Sequence, residues 1–114
     1  MTTPNIENDH ILIAPTTEAA TSNPTRLRGV LHGPGSYPVT FKAIGAGAAQ
    51  TTLLATDEAV TLEYWDGYKW WTAKEYGADM VLLNADNNIK SMYVPTYFRV
   101  NKSATANPVG VLID

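Results

Sequence analysis

Short apolar segments alternate with polar turn residues along most of the chain. From residue 26 onward, hydrophobic and polar side chains alternate, and clusters of Gly, Pro, Asn and Asp separate one such segment from the next. This pattern predicts β-strands at residues 26–31, 39–44, 59–65, 68–73, 80–83, 89–94, 97–101 and 109–113. Residues 52–58 fit either a single helical turn or a further strand. The chain is therefore predicted to be all-β, a small antiparallel β-sandwich of the jelly-roll or immunoglobulin-like kind.

The first 25 residues differ from the rest of the chain. They contain three prolines and six threonines, and they show neither helical nor sustained strand periodicity. Their one apolar island is the triplet Ile11, Leu12 and Ile13. We predict an extended N-terminal arm over residues 1–25 and a sandwich body over residues 26–114, with the triplet docking onto a sheet edge or a groove. The alternative is a disordered tail in which the apolar triplet is accidental.

Residues 63–71, EYWDGYKWW, contain all three tryptophans of the chain and predict a β-hairpin. Asp66-Gly67 is a strong signal for a two-residue type I′ turn, in which both central residues have positive φ. A loop of only these two residues would place Trp65 opposite Tyr68. A four-residue loop would keep the same residues on the same faces, whereas a three-residue loop would exchange the faces of the second strand.

The alternation gives this hairpin two distinct faces. The first face, predicted to be buried in the core, consists of Val60, Leu62, Tyr64, Lys69, Trp71 and Ala73. The second face consists of Thr61, Glu63, Trp65, Tyr68, Trp70 and Thr72. We expect Trp71 to be the large filler of the core, and the aromatic residues of the second face to need a cover. The N-terminal arm, another protein chain and a stacked sugar are the three candidates for that cover.

Composition and charge narrow the classes of function. The 114 residues suit one domain, and charged residues make up 17%, below the usual quarter, which favours a neutral surface with lasting contacts. The net charge is −3 and no cluster of Lys or Arg occurs, which argues against a nucleic-acid partner. The apolar runs are too short for a membrane span, no secretory signal is visible, and the absence of cysteine excludes disulfides.

Residue types typical of catalysis or metal binding are sparse. The two histidines, His10 and His32, lack a second ligand at metal-binding spacing. Residues 84–88 alternate side-chain oxygens as a calcium loop does, but Ile89 and Pro95 stand at the positions where that loop needs Gly and Glu. A tight turn explains residues 84–88 better. We therefore predict no catalytic site, no metal and no cofactor, and a protein that is not an enzyme.

The last two-thirds of the chain have a recognisable order of elements. VTLEYWDGYKWW is a strand, an Asp-Gly turn and a Trp strand, and the chain ends with a YFRV strand, a KSATANP loop and a VGVL strand. Over roughly residues 38–114, this order resembles small β-sandwich virion proteins of tailed bacteriophages, most closely the capsid decoration, or cement, proteins. Val94-Pro95-Thr96 departs from the Pro-Gly that those proteins have before the Tyr strand.

The resemblance implies a structural virion protein on the outer surface of the capsid. Such a protein is made in the host bacterial cytoplasm, stabilises the shell by bridging subunits of the major capsid protein, and forms a homo-oligomer at a capsid symmetry axis. The partner-binding residues that we predict are Ile11, Leu12, Ile13, Trp65, Tyr68 and Trp70. Neither nucleic acid nor membrane is an expected partner.

Two other functions remain open from the same residues. One is a carbohydrate- or receptor-binding module, with Trp65, Tyr68 and Trp70 as the stacking platform. The other is a head–tail or tail structural protein of the same kind of particle, because a sandwich fold does not fix the function.

Overall fold

The computed structural model describes residues 11–26, 37–45, 54–95 and 97–113. Both histidines and most of the strand predicted at residues 26–31 lie outside the described residues. Within them the regular elements are all β-strands, and the paired strands are antiparallel, which confirms the all-β prediction. The strands are β1 (Ile11–Thr16), β2 (Ala20–Thr21), β3 (Thr25–Arg26), β4 (Tyr37–Gly45), β5 (Ala59–Trp65), β6 (Trp70–Thr72), β7 (Lys74–Glu75), β8 (Ala78–Asp79), β9 (Val81–Asn84), β10 (Ile89–Val94), β11 (Tyr97–Lys102) and β12 (Val109–Ile113).

Two antiparallel sheets pack into a small β-sandwich. The four-stranded sheet has the order β1-β12-β4-β10. The larger sheet has the order β2-β11-β5-β6, with β3 pairing to β11 and β9 pairing to β5. Strands β7 and β8 form a separate two-stranded hairpin. The predicted sandwich is therefore confirmed, and the two sheets present one inner and one outer face each.

Aliphatic and aromatic side chains from the two sheets form one core. Phe41 in β4 and Phe98 in β11 meet edge to face, with ring centroids 5.8 Å apart and an interplanar angle of 78°. Strand β11 shows the expected alternation, because Phe98 and Val100 are buried while Tyr97, Arg99 and Asn101 are half-buried. The buried hydrophobic residues are Ile13, Val39, Phe41, Leu54, Val60, Leu62, Met80, Leu82, Leu83, Val94, Phe98, Val100, Val109 and Val111.

The hairpin of β5 and β6 has a longer turn than its sequence predicts. Trp65 pairs with Trp70, so residues 66–69 form the loop, which is the four-residue alternative and not the two-residue turn that Asp66-Gly67 signals. The assignment of strand residues to faces still holds, because two added loop residues preserve an alternation with a period of two. Val60 and Leu62 are buried, as predicted for the core face.

Trp71 is not the core filler that the alternation predicts. Its side chain is 43% exposed, and its indole N–H donates a hydrogen bond to the carboxylate of Asp66. The Lys69 ammonium lies 3.8 Å from the centroid of the Trp71 ring. The turn thus offers the indole a hydrogen-bond acceptor and a cation that the aliphatic core lacks. Trp71 packs over the turn instead of filling the core.

The N-terminal segment, residues 11–26, contributes strands to both sheets. Strand β1 pairs with β12 in the smaller sheet, while β2 and β3 pair with β11 in the larger one. The apolar triplet therefore lies at a sheet edge, and its last member, Ile13, is buried in the core.

Two polar segments form tight turns. Residues 54–58 contain neither a helix nor a strand; Glu58 N donates to Ala55 O at 3.0 Å, and Asp57 has a φ of 74°. Asn84 Oδ1 accepts a hydrogen bond of 3.0 Å from Asp86 N, so residues 84–88 form a turn as predicted.

Candidate binding surface

The outer face of the larger sheet carries a row of aromatic rings and guanidinium groups. We call it the aromatic row; its members are Trp65 of β5, Trp70 of β6, Tyr97 and Arg99 of β11, and Arg26 of β3. The alternation of side chains along the strands explains this position. Leu62, Phe98 and Val100 point into the core, so their neighbours in β5 and β11 point outward. Strand pairing then brings outward-pointing residues from four strands together.

The three rings of the aromatic row are in contact across the strands. The ring centroids of Trp65 and Trp70 are 5.5 Å apart with an interplanar angle of 56°. Those of Trp70 and Tyr97 are 5.4 Å apart with an angle of 41°. Trp70 is therefore the central ring, and both contacts lie in the range of favourable aromatic pairs.

Two arginines cover ring faces of the aromatic row. The guanidinium carbon of Arg26 lies 4.1 Å from the centroid of Tyr97, and that of Arg99 lies 4.3 Å from the centroid of Trp70. Arg99 Nε also donates a 2.6 Å hydrogen bond to Glu63 Oε1, and both of these side chains are mostly buried. The ion pair holds the Arg99 guanidinium against the Trp70 ring.

The aromatic row is partly accessible. Trp65 is 37% exposed, Arg26 is exposed, and Trp70 and Tyr97 are half-buried. Trp, Tyr and Arg are the residues most enriched at protein–protein hot spots, where a desolvated centre is surrounded by polar groups. The row has this composition and lies on a sheet whose backbone is held by strand pairing.

The predicted partner-binding residues do not form one surface. Trp65 and Trp70 are in contact, but Tyr68 lies in the loop of residues 66–69 and is 90% exposed. The triplet of Ile11, Leu12 and Ile13 lies in β1, which belongs to the other sheet. Ile13 is buried in the core, and Ile11 and Leu12 are half-buried.

Sequence reasoning missed Tyr97, Arg99 and Arg26. The alternation in β11 does place Tyr97 and Arg99 on the face opposite Phe98, so their outward direction was available from the pattern. The strand pairing that brings Tyr97 and Arg99 to the tryptophans could not be predicted from the pattern, because β5 and β11 are far apart in the chain.

The loop of residues 66–69 is fixed by Asp66. Its Oδ1 accepts hydrogen bonds from the backbone N–H groups of Lys69, at 2.9 Å, and Tyr68, at 2.7 Å. The backbone hydrogen bond from Lys69, the indole of Trp71 and the backbone N–H of Tyr68, in that order, hold the pKa of Asp66 below its usual value. This loop is therefore ordered by its own contacts.

A shallow pocket of ≈ 200 Å³ lies between the two polar turns, lined by residues 55–58 and 84–86. Glu58 in its wall is already engaged, because its two carboxylate oxygens accept hydrogen bonds of 2.8 Å from Ala55 N and Ala106 N. These bonds lower the pKa of Glu58. In the part of the chain that the structure describes, no group of three or more His, Cys, Asp or Glu residues is arranged to hold a metal ion.

No protein-family profile, curated protein or solved structure matches this chain. Among the described residues, no helix is long and apolar enough to span a bilayer. The function is therefore inferred from the residues of the chain and the surface that they form.

Proposed function

We propose that the protein is a structural virion protein of a tailed phage. It decorates the outer capsid surface and stabilises the shell by bridging subunits of the major capsid protein. Two features support this proposal: the resemblance of residues 38–114 to small virion sandwiches, and the aromatic row, a partly exposed surface with the composition of an interface centre.

The arginines over the rings favour a protein partner and carry the proposal. A sugar stacks on a free aromatic face, but Arg26 covers Tyr97 and Arg99 covers Trp70. A sugar that stacked on these covered faces of Tyr97 and Trp70 would have to displace a guanidinium group, and that of Arg99 is paired with Glu63. A protein surface instead uses such groups, because a guanidinium donates planar hydrogen bonds to carboxylates and carbonyls while it stacks on an aromatic ring.

Because many copies of the protein bind to one shell, a weak contact per copy is enough to stabilise the shell. Many copies bound around one particle gain through multivalency what a single contact lacks. A homo-oligomer at a capsid symmetry axis, which is part of this proposal, adds to that gain because each copy presents the same aromatic row.

Shells assembled without the protein test the proposal. Adding the purified protein to mature shells should produce saturable binding and raise the temperature at which the shells rupture. Trp65→Thr should weaken the binding about tenfold, since truncating an interface-centre residue typically costs more than 1 kcal/mol. Val81→Thr, at an exposed strand position of the same sheet, is the matched control and should bind as the wild type does. Shells that rupture at the same temperature with and without the protein would contradict the proposal.

The alternatives have separate readouts. Reproducible sugar binding on a glycan array, lost on Trp70→Ala, would favour a carbohydrate-binding module. A copy number per particle near that of the major capsid protein is expected for decoration. A few copies at the tail would instead assign the head–tail or tail role.

A further inference from the structure

A small hairpin projects from the edge of the larger sheet. Strand β7 (Lys74–Glu75) pairs with β8 (Ala78–Asp79), and Tyr76 and Gly77 form the tip. At its base, Met80 N donates a 2.8 Å hydrogen bond to Ala73 O, so the chain leaves and re-enters the sheet at one place. The strands on either side of the hairpin, β6 and β9, both pair with β5.

The tip of this hairpin has an unfavourable residue for its conformation. Tyr76 has a φ of 55° and Gly77 a φ of 81°, and a two-residue hairpin turn with both φ values positive prefers Asn-Gly. A bulky residue with positive φ is uncommon and destabilises the turn, and Asn or Asp tolerates it better. A strained residue that persists in a fold is a reason to look for a function at that position.

The Tyr76 side chain contributes nothing visible to the packing of its own fold. It is 100% exposed, and the other residues of the hairpin are exposed as well. The pairing of β7 and β8 and the ion pair between Lys74 and Asp79 hold the hairpin without any help from the ring. The phenol is thus held outward, at the end of an ordered projection.

We propose that Tyr76 is an anchor that inserts into a pocket on a neighbouring capsid subunit. This inference rests on the proposed function and names a second contact beside the aromatic row. A buried Tyr needs apolar walls for its ring and a hydrogen-bond partner for its hydroxyl, and Tyr is enriched at interface hot spots. A turn that already presents the ring reduces the ordering cost of binding.

The charges of the hairpin indicate which charge the rim of that pocket should carry. Lys74 is paired with Asp79, which leaves Glu75, next to the tip, as the charge that a partner meets first. With two acidic residues and one basic residue, the hairpin carries a net negative charge. The pocket should therefore have a basic rim, which would also make the association dependent on ionic strength.

Tyr76→Asn separates the role of the ring from the stability of the turn. Asn suits positive φ, so the melting temperature of the purified variant should stay the same or rise. Its binding to mature shells that lack the protein should fall about tenfold or more, because the anchor is lost. Tyr93→Thr, which removes an exposed Tyr from β10 in the other sheet, is the matched control and should bind as the wild type does.

The outcomes distinguish this inference from the proposed function. If the wild type does not bind the shells, the proposed function is overturned. If the wild type binds and Tyr76→Asn binds equally well, the anchor is overturned while the decoration role stands. Weaker binding by Tyr76→Asn, with an unchanged or higher melting temperature and normal binding by Tyr93→Thr, supports the anchor.

Discussion

The N-terminal segment (residues 11–26) and the β7–β8 hairpin (residues 74–79) are both peripheral to the central strands, yet they are attached in opposite ways. Strands of the N-terminal segment pair in both sheets, whereas β7 and β8 pair only with each other. The segment that reads as an arm in the sequence is held by the sandwich at many points. The hairpin, in contrast, pairs with no described strand of the sandwich, and a backbone hydrogen bond from Met80 N to Ala73 O closes its base.

Buried polar groups account for this difference. Ser22, Lys102 and Thr105 are the buried polar residues of the described part of the chain. Lys102 Nζ donates to Glu18 O at 3.0 Å, and Val100 N donates to Ser22 Oγ at 3.0 Å. Each of these bonds joins the N-terminal segment to β11, and buried hydrogen bonds of this kind are expensive to break.

A peripheral position does not by itself identify the part of the chain that contacts a partner. The N-terminal segment uses its polar groups within the chain, so removing them should cost stability. The hairpin presents its tip to solvent, so changing it should cost binding and leave stability nearly intact. Substitutions on each side test this contrast, and so does replacement of the whole hairpin.

The largest loss of stability is expected for Lys102→Met. Lys102 is only 3% exposed, and besides Glu18 O its ammonium donates to Ser103 O and Thr105 Oγ1, both at 2.9 Å. Met keeps much of the side-chain volume but leaves these acceptors without their donor, so the free energy of unfolding should fall by about 3 kcal/mol. Burial lowers the pKa of Lys102, a cost of the charged form that offsets part of this loss. Urea denaturation measures the change.

The matched control is Lys74→Met in the hairpin. Lys74 forms an exposed ion pair with Asp79, and exposed pairs contribute roughly 0–1 kcal/mol. We therefore expect a change of less than about 1 kcal/mol in the same urea experiment. Equal losses for the two variants would show that the N-terminal segment is no better anchored than the hairpin.

A smaller effect is expected for Gly110→Ala in β12. A Cβ at this position would lie 2.3 Å from Ile13 O and 2.8 Å from Pro15 N, both of which are backbone atoms of β1. Strand β1 must move away to admit the methyl group, which should cost about 2 kcal/mol. Limited proteolysis should then cut the exposed residues 17–19 faster than in the wild type.

Gly77→Ala in the hairpin is the control for this substitution. Beyond Gly77 and its two chain neighbours, no atom of the described residues lies within 4 Å of a Cβ at this position, although the φ of 81° makes Ala unfavourable there. The strain stays within the hairpin, so cleavage at residues 17–19 should not change. Faster cleavage there in both glycine variants would mean that strain in the hairpin reaches the N-terminal segment.

The strands were predictable because their alternation is strong and local. The predicted bounds of β5, β10 and β12 agree with the structure, since clear turn residues flank each of these segments. The inward direction of Leu62 and the outward direction of Trp65 follow from the same alternation. Loops of two and of four residues, however, place the strand residues on the same faces. The alternation therefore could not give the length of the loop at residues 66–69.

Features that depend on long-range pairing were not predictable. The burial of Lys102 requires Glu18 to lie beside it, and Tyr97 joins the tryptophans only because β11 pairs with β5. The hairpin tip gave no signal either, since Tyr-Gly is not a favoured pair for a type I′ turn. The contacts that a side chain makes depend on the whole fold, whereas the face of the sheet on which it lies follows from the alternation along its own strand.

The smallest change in stability is expected when residues 74–79 are replaced by Asn-Gly. Ala73 O already accepts a 2.8 Å hydrogen bond from Met80 N, which is the bond that closes a two-residue β-turn. The replacement keeps this bond and shortens the connection, so the free energy of unfolding should stay within about 1 kcal/mol of the wild-type value. Because both Tyr76 and Glu75 are lost, shell binding should fall at least as much as in Tyr76→Asn. A large loss of stability would instead show that the hairpin supports the sheet edge, and the contrast with the N-terminal segment would then fail.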